Sequence, residues 1–299
     1  MPQRKVPAVF LMLCALTAPI LAQTHPGRRL TIASSRHAED DLEVTGMIAG
    51  LPAGAIGYVS YAELSALPQI TTTIQNDSNF EDELSKGVRI TGIPLEQLAK
   101  VLGALPGSDL IDALCTDRYR SHFPAEYVAA HHPIFALKID GERPAQWAAK
   151  TKEYDPGPYF VTHAKYVPRY KVLSHAELRE NPDNIMRLNF TTVAATYAPI
   201  TPRGDFRPDS PVAQGFAIAK ENCLRCHNQG AFGGTKAGRD WRTLATWARE
   251  QPQYFERYVH NPQAVDPHAH MEGSPTYDAA TLHALTAYFR TFTEEKPHK

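Results

Sequence analysis

The segment Cys223-Leu224-Arg225-Cys226-His227 combines the residue types that attach a haem to a polypeptide. Two thiols three positions apart lie on one turn of chain, where they can add to the two vinyl groups of a single haem. The adjacent His227 then supplies a nitrogen to the iron as its proximal ligand. The sequence therefore predicts one covalent haem c, attached through Cys223 and Cys226.

Two other chemistries use paired cysteines at this spacing. A zinc half-site needs further ligands at a matching spacing, and the chain has no second Cys pair of this kind. A thiol redox pair normally belongs to a βαβ unit, whereas Cys223 follows a segment with helical periodicity. Haem attachment is the chemistry that the residues favour, and the other two stay open as alternatives.

The second axial ligand of the iron is expected in Pro267–Gly273, just before the last predicted helix. A Met thioether opposite His gives a six-coordinate iron that exchanges electrons without large rearrangement. We therefore assign Met271 as the distal ligand, with His268 and His270 as alternatives. The plainer interpretation of Met271 is a residue that fills a gap in the core.

The first residues have the pattern of an export signal, with Arg4 and Lys5 ahead of an apolar run that ends at Ala22. We expect residues 1–22 to be a cleaved signal peptide and residues 23–40 to be a flexible lead-in. The run is short for a transmembrane helix, so we expect no stable membrane span after cleavage; an uncleaved anchor is the alternative. The expected location is the periplasm of a Gram-negative bacterium.

The formal net charge of -1 becomes -3 when Arg4 and Lys5 leave with the signal peptide. Neither value suits a nucleic acid partner, which needs a strongly basic surface. Three cysteines remain after cleavage, and an odd number does not make a disulfide framework. Cys115 is expected to be a small buried apolar side chain. His131 and His132 are expected at the surface or at the end of a helix.

Short apolar runs separated by turn signals predict strands in the first half of the chain. These runs are Leu42–Ile48, Ile56–Val59, Val88–Ile90 and Ile111–Cys115. One amphipathic segment, Leu95–Leu102, predicts a short helix. Strands mixed with isolated helices indicate an α+β domain over residues 41–198.

Residues 199–210 are rich in proline and predict a linker, after which residues 211–295 have helical periodicity. Ser210 is the expected N-cap of the first helix, and Asp278 is that of the last, which runs to Phe292. Two shorter helices are expected between them, over Asp240–Arg249 and Gln253–His260.

Five short motifs follow one another in the helical half: Gly215-Phe216, Cys223–His227, Asn261-Pro262, His270-Met271 and Tyr288-Phe289. Over residues 211–292 they resemble the class I cytochrome c domain. The resemblance implies an all-α bundle whose first and last helices cross at Gly215 and Tyr288, where a glycine permits close approach. Family members usually carry Met-Pro at the distal position, whereas here Glu272 follows Met271.

Four further motifs stand in order in the first half: Tyr58–Pro68, Gly92–Leu98, Asp117–Tyr119 and Ile139–Pro144. Over residues 42–189 they resemble the molybdopterin-binding domain of sulfite-oxidase-like oxidoreductases, which implies an α+β fold. In that family a Cys after the Leu-Pro strand binds molybdenum as a thiolate. The matching stretch, Thr71–Asp77, contains no Cys, so we expect the fold without molybdopterin.

Together these features predict a multidomain protein, with an α+β sulfite-oxidase-like domain followed by an all-α class I cytochrome c domain. The expected function is single-electron transfer by a periplasmic monohaem cytochrome whose first domain docks a dehydrogenase, an oxidase or another cytochrome. The alternatives are a molybdenum/haem oxidoreductase of the sulfite dehydrogenase type and a haem-based redox or ligand sensor. The residues identify no catalytic side chain, so whether the chain is an enzyme stays open.

Overall fold

The structure, a computed structural model, describes residues 30–74 and 87–292. The expected signal peptide, residues 23–29 of the expected lead-in and the stretch Gln75–Asp77 lie outside the described residues. Among the residues described, no helix is both long enough and apolar enough to cross a membrane. The chain is α+β, with strands predominating up to Thr191 and helices after it.

Five strands form the larger sheet: β1 (Leu42–Gly46), β2 (Ile56–Val59), β5 (Leu110–Cys115), β6 (Arg120–Pro124) and β11 (Ile185–Thr191). Their order is β2-β1-β11-β5-β6, in which β1 pairs in parallel with β11 and the other neighbours are antiparallel. Leu42 and Val44 lie on one face of β1 and are completely buried in an apolar cluster. The buried acid of β1, Glu43, is neutralised by Arg36 and Arg187.

Four strands form the second sheet: β3 (Ile70–Ile74), β4 (Val88–Pro94), β7 (Ile134–Ile139) and β8 (Phe160–Thr162). Their order is β3-β4-β7-β8, and all neighbours are antiparallel. The predicted strand Val88–Ile90 continues to Pro94 because β4 pairs with β3 on one side and with β7 on the other. Long-range pairing, rather than apolar character alone, sets its length.

The helices among these strands are α1 (Tyr61–Ser65), α2 (Leu95–Leu102), α3 (Ala125–His131), α4 (Pro144–Thr151) and α5 (Val193–Tyr197). The predicted helix Leu95–Leu102 is confirmed with its predicted bounds. Its buried face carries Leu95, Leu98 and Leu102, and it ends at Gly103 with φ +78°. That left-handed conformation costs a glycine little, which is why the helix stops there. Two short strands, β9 (Lys171–Val172) and β10 (His175–Ala176), form a separate ladder.

Two buried apolar clusters support the part of the chain that we call the sheet region, residues 30–74 and 87–197. The larger cluster includes Phe123 and Cys115, and the smaller includes Trp147. Cys115 is 2% exposed, which confirms the prediction that it is a buried apolar side chain. Burial also raises the pKa of its thiol, so the group is inert.

We call residues 211–292 the helical region. It contains α6 (Pro211–Asn222), α7 (Trp241–Glu250), α8 (Pro252–His260), α9 (Pro262–Val265) and α10 (Ala279–Phe289), with a hairpin of β12 (Asn228–Gln229) and β13 (Phe232–Gly233). The predicted caps are confirmed. The Ser210 hydroxyl accepts from the Ala213 N–H, and the Asp278 carboxylate accepts from the Thr281 N–H. Each side chain accepts a hydrogen bond from a backbone N–H that has no partner within the first turn of its helix.

Helices α6 and α10 cross where the sequence predicts, at Gly215. A Cβ there would lie 2.1 Å from the carbonyl oxygen of Ala284 and 2.7 Å from Cβ of Tyr288, so no larger residue fits this crossing. Tyr288 is fully buried at the contact, and its hydroxyl donates to the carbonyl of Ile200 over 2.5 Å. Ile200, in the expected linker, is itself fully buried against the helical region.

The two regions meet through polar side chains as well as apolar ones. The ring of His175 lies 2.7 Å from the Tyr277 hydroxyl through Nδ1 and 2.7 Å from the Glu221 carboxylate through Nε2. The Ser174 N–H donates to the Thr281 hydroxyl over 3.0 Å. These bonds hold the β9–β10 ladder against helices α6 and α10.

Candidate functional site

The two thiols and the imidazole of the Cys223–His227 motif lie on one turn of chain that continues from α6. The His227 N–H donates to the Cys223 carbonyl over 3.0 Å, and the Cys226 N–H donates to the same carbonyl over 3.2 Å. Both cysteines are half-buried and carry free thiols. The turn therefore presents two sulfurs and a ring nitrogen together, as covalent haem attachment requires.

The environment of the thiols is that of unreactive cysteines. Burial raises the pKa of Cys223 to about 12 and also raises the pKa of Cys226. A thiol redox pair needs the opposite, a pKa lowered towards neutrality so that a thiolate is available to attack. The redox-pair alternative loses support on this ground. Within the described residues, no group of three or more His, Cys, Asp or Glu side chains is arranged to hold a metal ion.

The ring of His227 is fixed by one hydrogen bond to the backbone. Its Nδ1 donates to the carbonyl of Arg239 over 2.8 Å, which leaves Nε2 as the nitrogen with a free lone pair. Burial lowers the pKa of the imidazole, so the ring is neutral at physiological pH. A second hydrogen bond of this kind fixes the ring and its tautomer in metal-binding histidines. The residues present fit a haem c.

The loop after the hairpin packs directly beneath the motif. A Cβ at Gly234 would lie 1.8 Å from the Arg225 carbonyl oxygen, so only glycine allows the approach. The Gly234 N–H donates to the Leu224 carbonyl over 2.8 Å, and the Ala237 N–H donates to the Cys226 carbonyl over 3.1 Å. The loop that ends at Arg239 thus holds both the turn and the acceptor for His227.

The segment that carries Met271 folds towards the end of α6. Met271 is half-buried, and its carbonyl accepts from the Gln263 side chain over 2.9 Å. Just beyond it, the Tyr277 hydroxyl accepts from the Asn222 side chain, which directly precedes Cys223. His268 and His270, the alternative distal ligands, are both exposed. The assignment of Met271 as distal ligand stays a prediction.

Arg225, between the two cysteines, makes a buried ion pair that no sequence pattern predicted. Its guanidinium lies 2.5 Å from the Glu180 carboxylate, and its Nε donates to the Glu221 carbonyl over 2.7 Å. The Ser121 hydroxyl donates to the same Glu180 carboxylate. Glu180 and Ser121 belong to the sheet region, so the Cys223–His227 turn is joined to that region by charge. The 45 residues between Glu180 and Arg225 leave no local signal for the pair.

The structure describes only part of the stretch that matches the family's molybdenum-binding position. Thr71–Ile74 form strand β3, and the remainder of the matching stretch lies outside the described residues. His131 is the last residue of α3, as expected, but it is buried and not at the surface, and its ring lies 3.0 Å from the Glu177 carboxylate. Glu177 is 46 residues away, so sequence spacing could not reveal it. For His132 the expectation is confirmed, because this exposed residue caps α3 with φ 47°.

No protein-family model and no curated protein matches the chain. Among solved structures, the sulfane dehydrogenase SoxCD from Paracoccus pantotrophus is similar at 17% identity with a TM-score of 0.35. The matched part covers 55% of this chain and 42% of that chain, so this chain spans less than half the length of the protein it matches.

Proposed function

We propose that this protein is a periplasmic monohaem c-type cytochrome that transfers single electrons. The haem is bound covalently by Cys223 and Cys226, with His227 as proximal ligand and Met271 as distal ligand. Haem supplies the one-electron Fe(III)/Fe(II) couple, and the chain supplies attachment, axial ligands and burial.

The observation that carries the proposal is the hydrogen bond from His227 Nδ1 to the Arg239 carbonyl. His227 lies on the same turn as two free thiols, those of Cys223 and Cys226. The hydrogen bond selects the tautomer in which Nε2 can bind iron.

In this proposal the helical region is a class I cytochrome c domain of residues 211–295, reached from the sulfite-oxidase-like domain of residues 41–198 through residues 199–210. The sulfite-oxidase-like domain docks a redox partner, which is a dehydrogenase, an oxidase or another cytochrome. It holds no molybdopterin. Within its core the His131 ring lies 3.0 Å from the Glu177 carboxylate.

The test is mass spectrometry and metal analysis of the full chain, expressed with haem maturation factors and purified. We expect the mass of the mature chain plus one haem, about one iron per chain, and a low-spin spectrum typical of His/Met ligation. A colourless chain at its bare polypeptide mass would contradict the proposal. About one molybdenum per chain would replace it with the two-cofactor oxidoreductase.

The distal assignment has its own test within the same preparation. Met271→Ala should keep the covalent haem but change the spectrum to one with an open or substituted sixth position. Met47→Ala, which alters a methionine packed against the core of the sheet region, is the matched control and should leave the spectrum unchanged. An unchanged spectrum in Met271→Ala would remove this residue as ligand and leave the rest of the proposal intact.

A further inference from the structure

Arg225 brings a positive charge into the haem-attachment turn itself. It stands between Cys223 and Cys226, and its side chain is only 13% exposed. Water therefore screens this charge weakly, and its effect on a neighbouring group depends on the partner that neutralises it.

That partner comes from the other region of the molecule. The Glu180 side chain is 5% exposed and lies 2.5 Å from the Arg225 guanidinium. The Ser121 hydroxyl donates to the carboxylate, and the Glu180 N–H donates to the Tyr127 hydroxyl over 2.8 Å. Ser121 of β6 and Tyr127 of α3 thus converge to hold one carboxylate of the sheet region against the attachment turn.

The carboxylate is held there against a desolvation cost. Burial raises the pKa of Glu180, while the Arg225 guanidinium and the Ser121 hydroxyl oppose that rise. A buried ion pair is weak evidence for a gain in stability, because desolvation offsets the attraction between the charges. The pair is better explained by its effect on the net charge beside Cys223 and Cys226.

We propose that Glu180 sets the reduction potential of the haem by neutralising the charge that Arg225 places beside it. The proposal rests on haem attachment at Cys223 and Cys226. Reduction removes one positive charge from the haem core, so a nearby uncompensated cation favours the reduced state and raises the potential. With Glu180 in place the pair is close to neutral, and the potential stays lower. The sheet region is then part of the haem's electrostatic environment.

The experiment is a redox titration of the haem-loaded full chain and its variants. Glu180→Gln keeps the size of the side chain and removes its charge. We expect the equilibrium constant for reduction to rise about tenfold, which is about 59 mV for one electron. The matched control is Glu126→Gln, since Glu126 lines the same cavity of about 50 Å³ but is exposed. The control should leave the potential unchanged.

A double variant separates the charge effect from a structural one. Glu180→Gln with Arg225→Gln removes both charges, so its potential should return to near that of the unaltered protein. A haem-loaded Glu180→Gln variant with an unaltered potential would overturn the inference, and so would a double variant with the raised potential of the single one. Loss of haem from the unaltered chain would instead be a failure of the proposed function.

Arg225→Gln keeps the inference testable if Glu180→Gln does not fold. This variant leaves the carboxylate uncompensated, so the haem potential should fall when it is measured at pH 9, where even strongly shifted buried glutamates ionise. A potential equal to or above that of the unaltered chain at the same pH would contradict the inference.

Discussion

The helical region and the sheet region assemble their polar groups over very different distances along the chain. Cys223, Cys226 and His227 lie within one turn, and the thiols remain half-buried rather than enclosed. In the sheet region several buried polar pairs join residues far apart, such as Tyr127 and His163 at 36 positions and Ser121 and Glu180 at 59. The group that we propose to attach haem is made of sequence neighbours, whereas polar groups that support a core are brought together by the fold.

The two kinds of assembly meet at Arg225. This residue belongs to the local motif, yet its charge is neutralised by Glu180 of the sheet region. In the proposed function, the Cys223–His227 turn is therefore local in its covalent chemistry and long-range in its electrostatics. Four experiments test how far this contrast between the regions holds.

The largest expected effect follows from removing the local motif. Cys223→Ala with Cys226→Ala should abolish covalent haem completely, because no thioether can form. Cys115→Ala should retain it, since that buried cysteine is part of the apolar core. Denaturing mass spectrometry of both variants measures the attached haem. Haem that survives denaturation in the double variant would refute the assignment.

The sheet region should respond to pH through a buried imidazole. His122 is 5% exposed, and burial lowers its pKa to about 4. Between pH 6.5 and 4 the imidazole is protonated in the unfolded chain but neutral in the folded chain. The free energy of unfolding therefore falls by about 3 kcal/mol as the pH falls through this window. His122→Gln should remove this part of the loss, as measured by denaturant unfolding across the window.

The control for this measurement is His132→Gln, because His132 is an exposed residue on α3. It should unfold with the pH dependence of the unaltered chain. The same acid sensitivity in His122→Gln as in the control would show that the neutral buried imidazole is not the cause.

The crossing of α6 and α10 gives the next largest effect. Gly215→Ala should destabilise the helical region by about 2 kcal/mol, because overpacking against the Ala284 carbonyl costs more than the gain in helix propensity. Gln214→Ala, one residue earlier on the helix, should stay within about 0.5 kcal/mol of the unaltered chain. Equal stability of the two variants would mean that the helices separate to admit a methyl group.

The smallest effect compares the same change in both regions. Ser60 and Ser210 each cap a helix by accepting a backbone N–H over 3.2 Å. Replacing either with Ala should cost about 1 kcal/mol. Because polar bonds such as that of His175 to Glu221 link the regions, both variants should shift one common thermal transition. Two separate transitions, each moved by one variant, would show that the regions unfold independently.

Local patterns predicted individual elements well and their assembly poorly. The helix Leu95–Leu102 and the strand Ile56–Val59 have their predicted bounds, since apolar period and turn residues define them. The parallel pairing of β1 with β11 had no such signal, because its partners lie about 145 residues apart, as Val44 and Leu188 do. The buried position of His131 was missed for the same reason, as its partner Glu177 comes from another segment.

The candidate site also combines features set by local sequence with features set by long-range contacts. The sequence by itself determined the spacing of Cys223, Cys226 and His227, because a single turn of backbone brings such neighbours together in any fold that permits it. Only the tertiary structure decided that Arg239 accepts from His227 and that Glu180 neutralises Arg225. The strength of those interactions depends on exclusion of water and on partners far along the chain, and neither is encoded in local spacing.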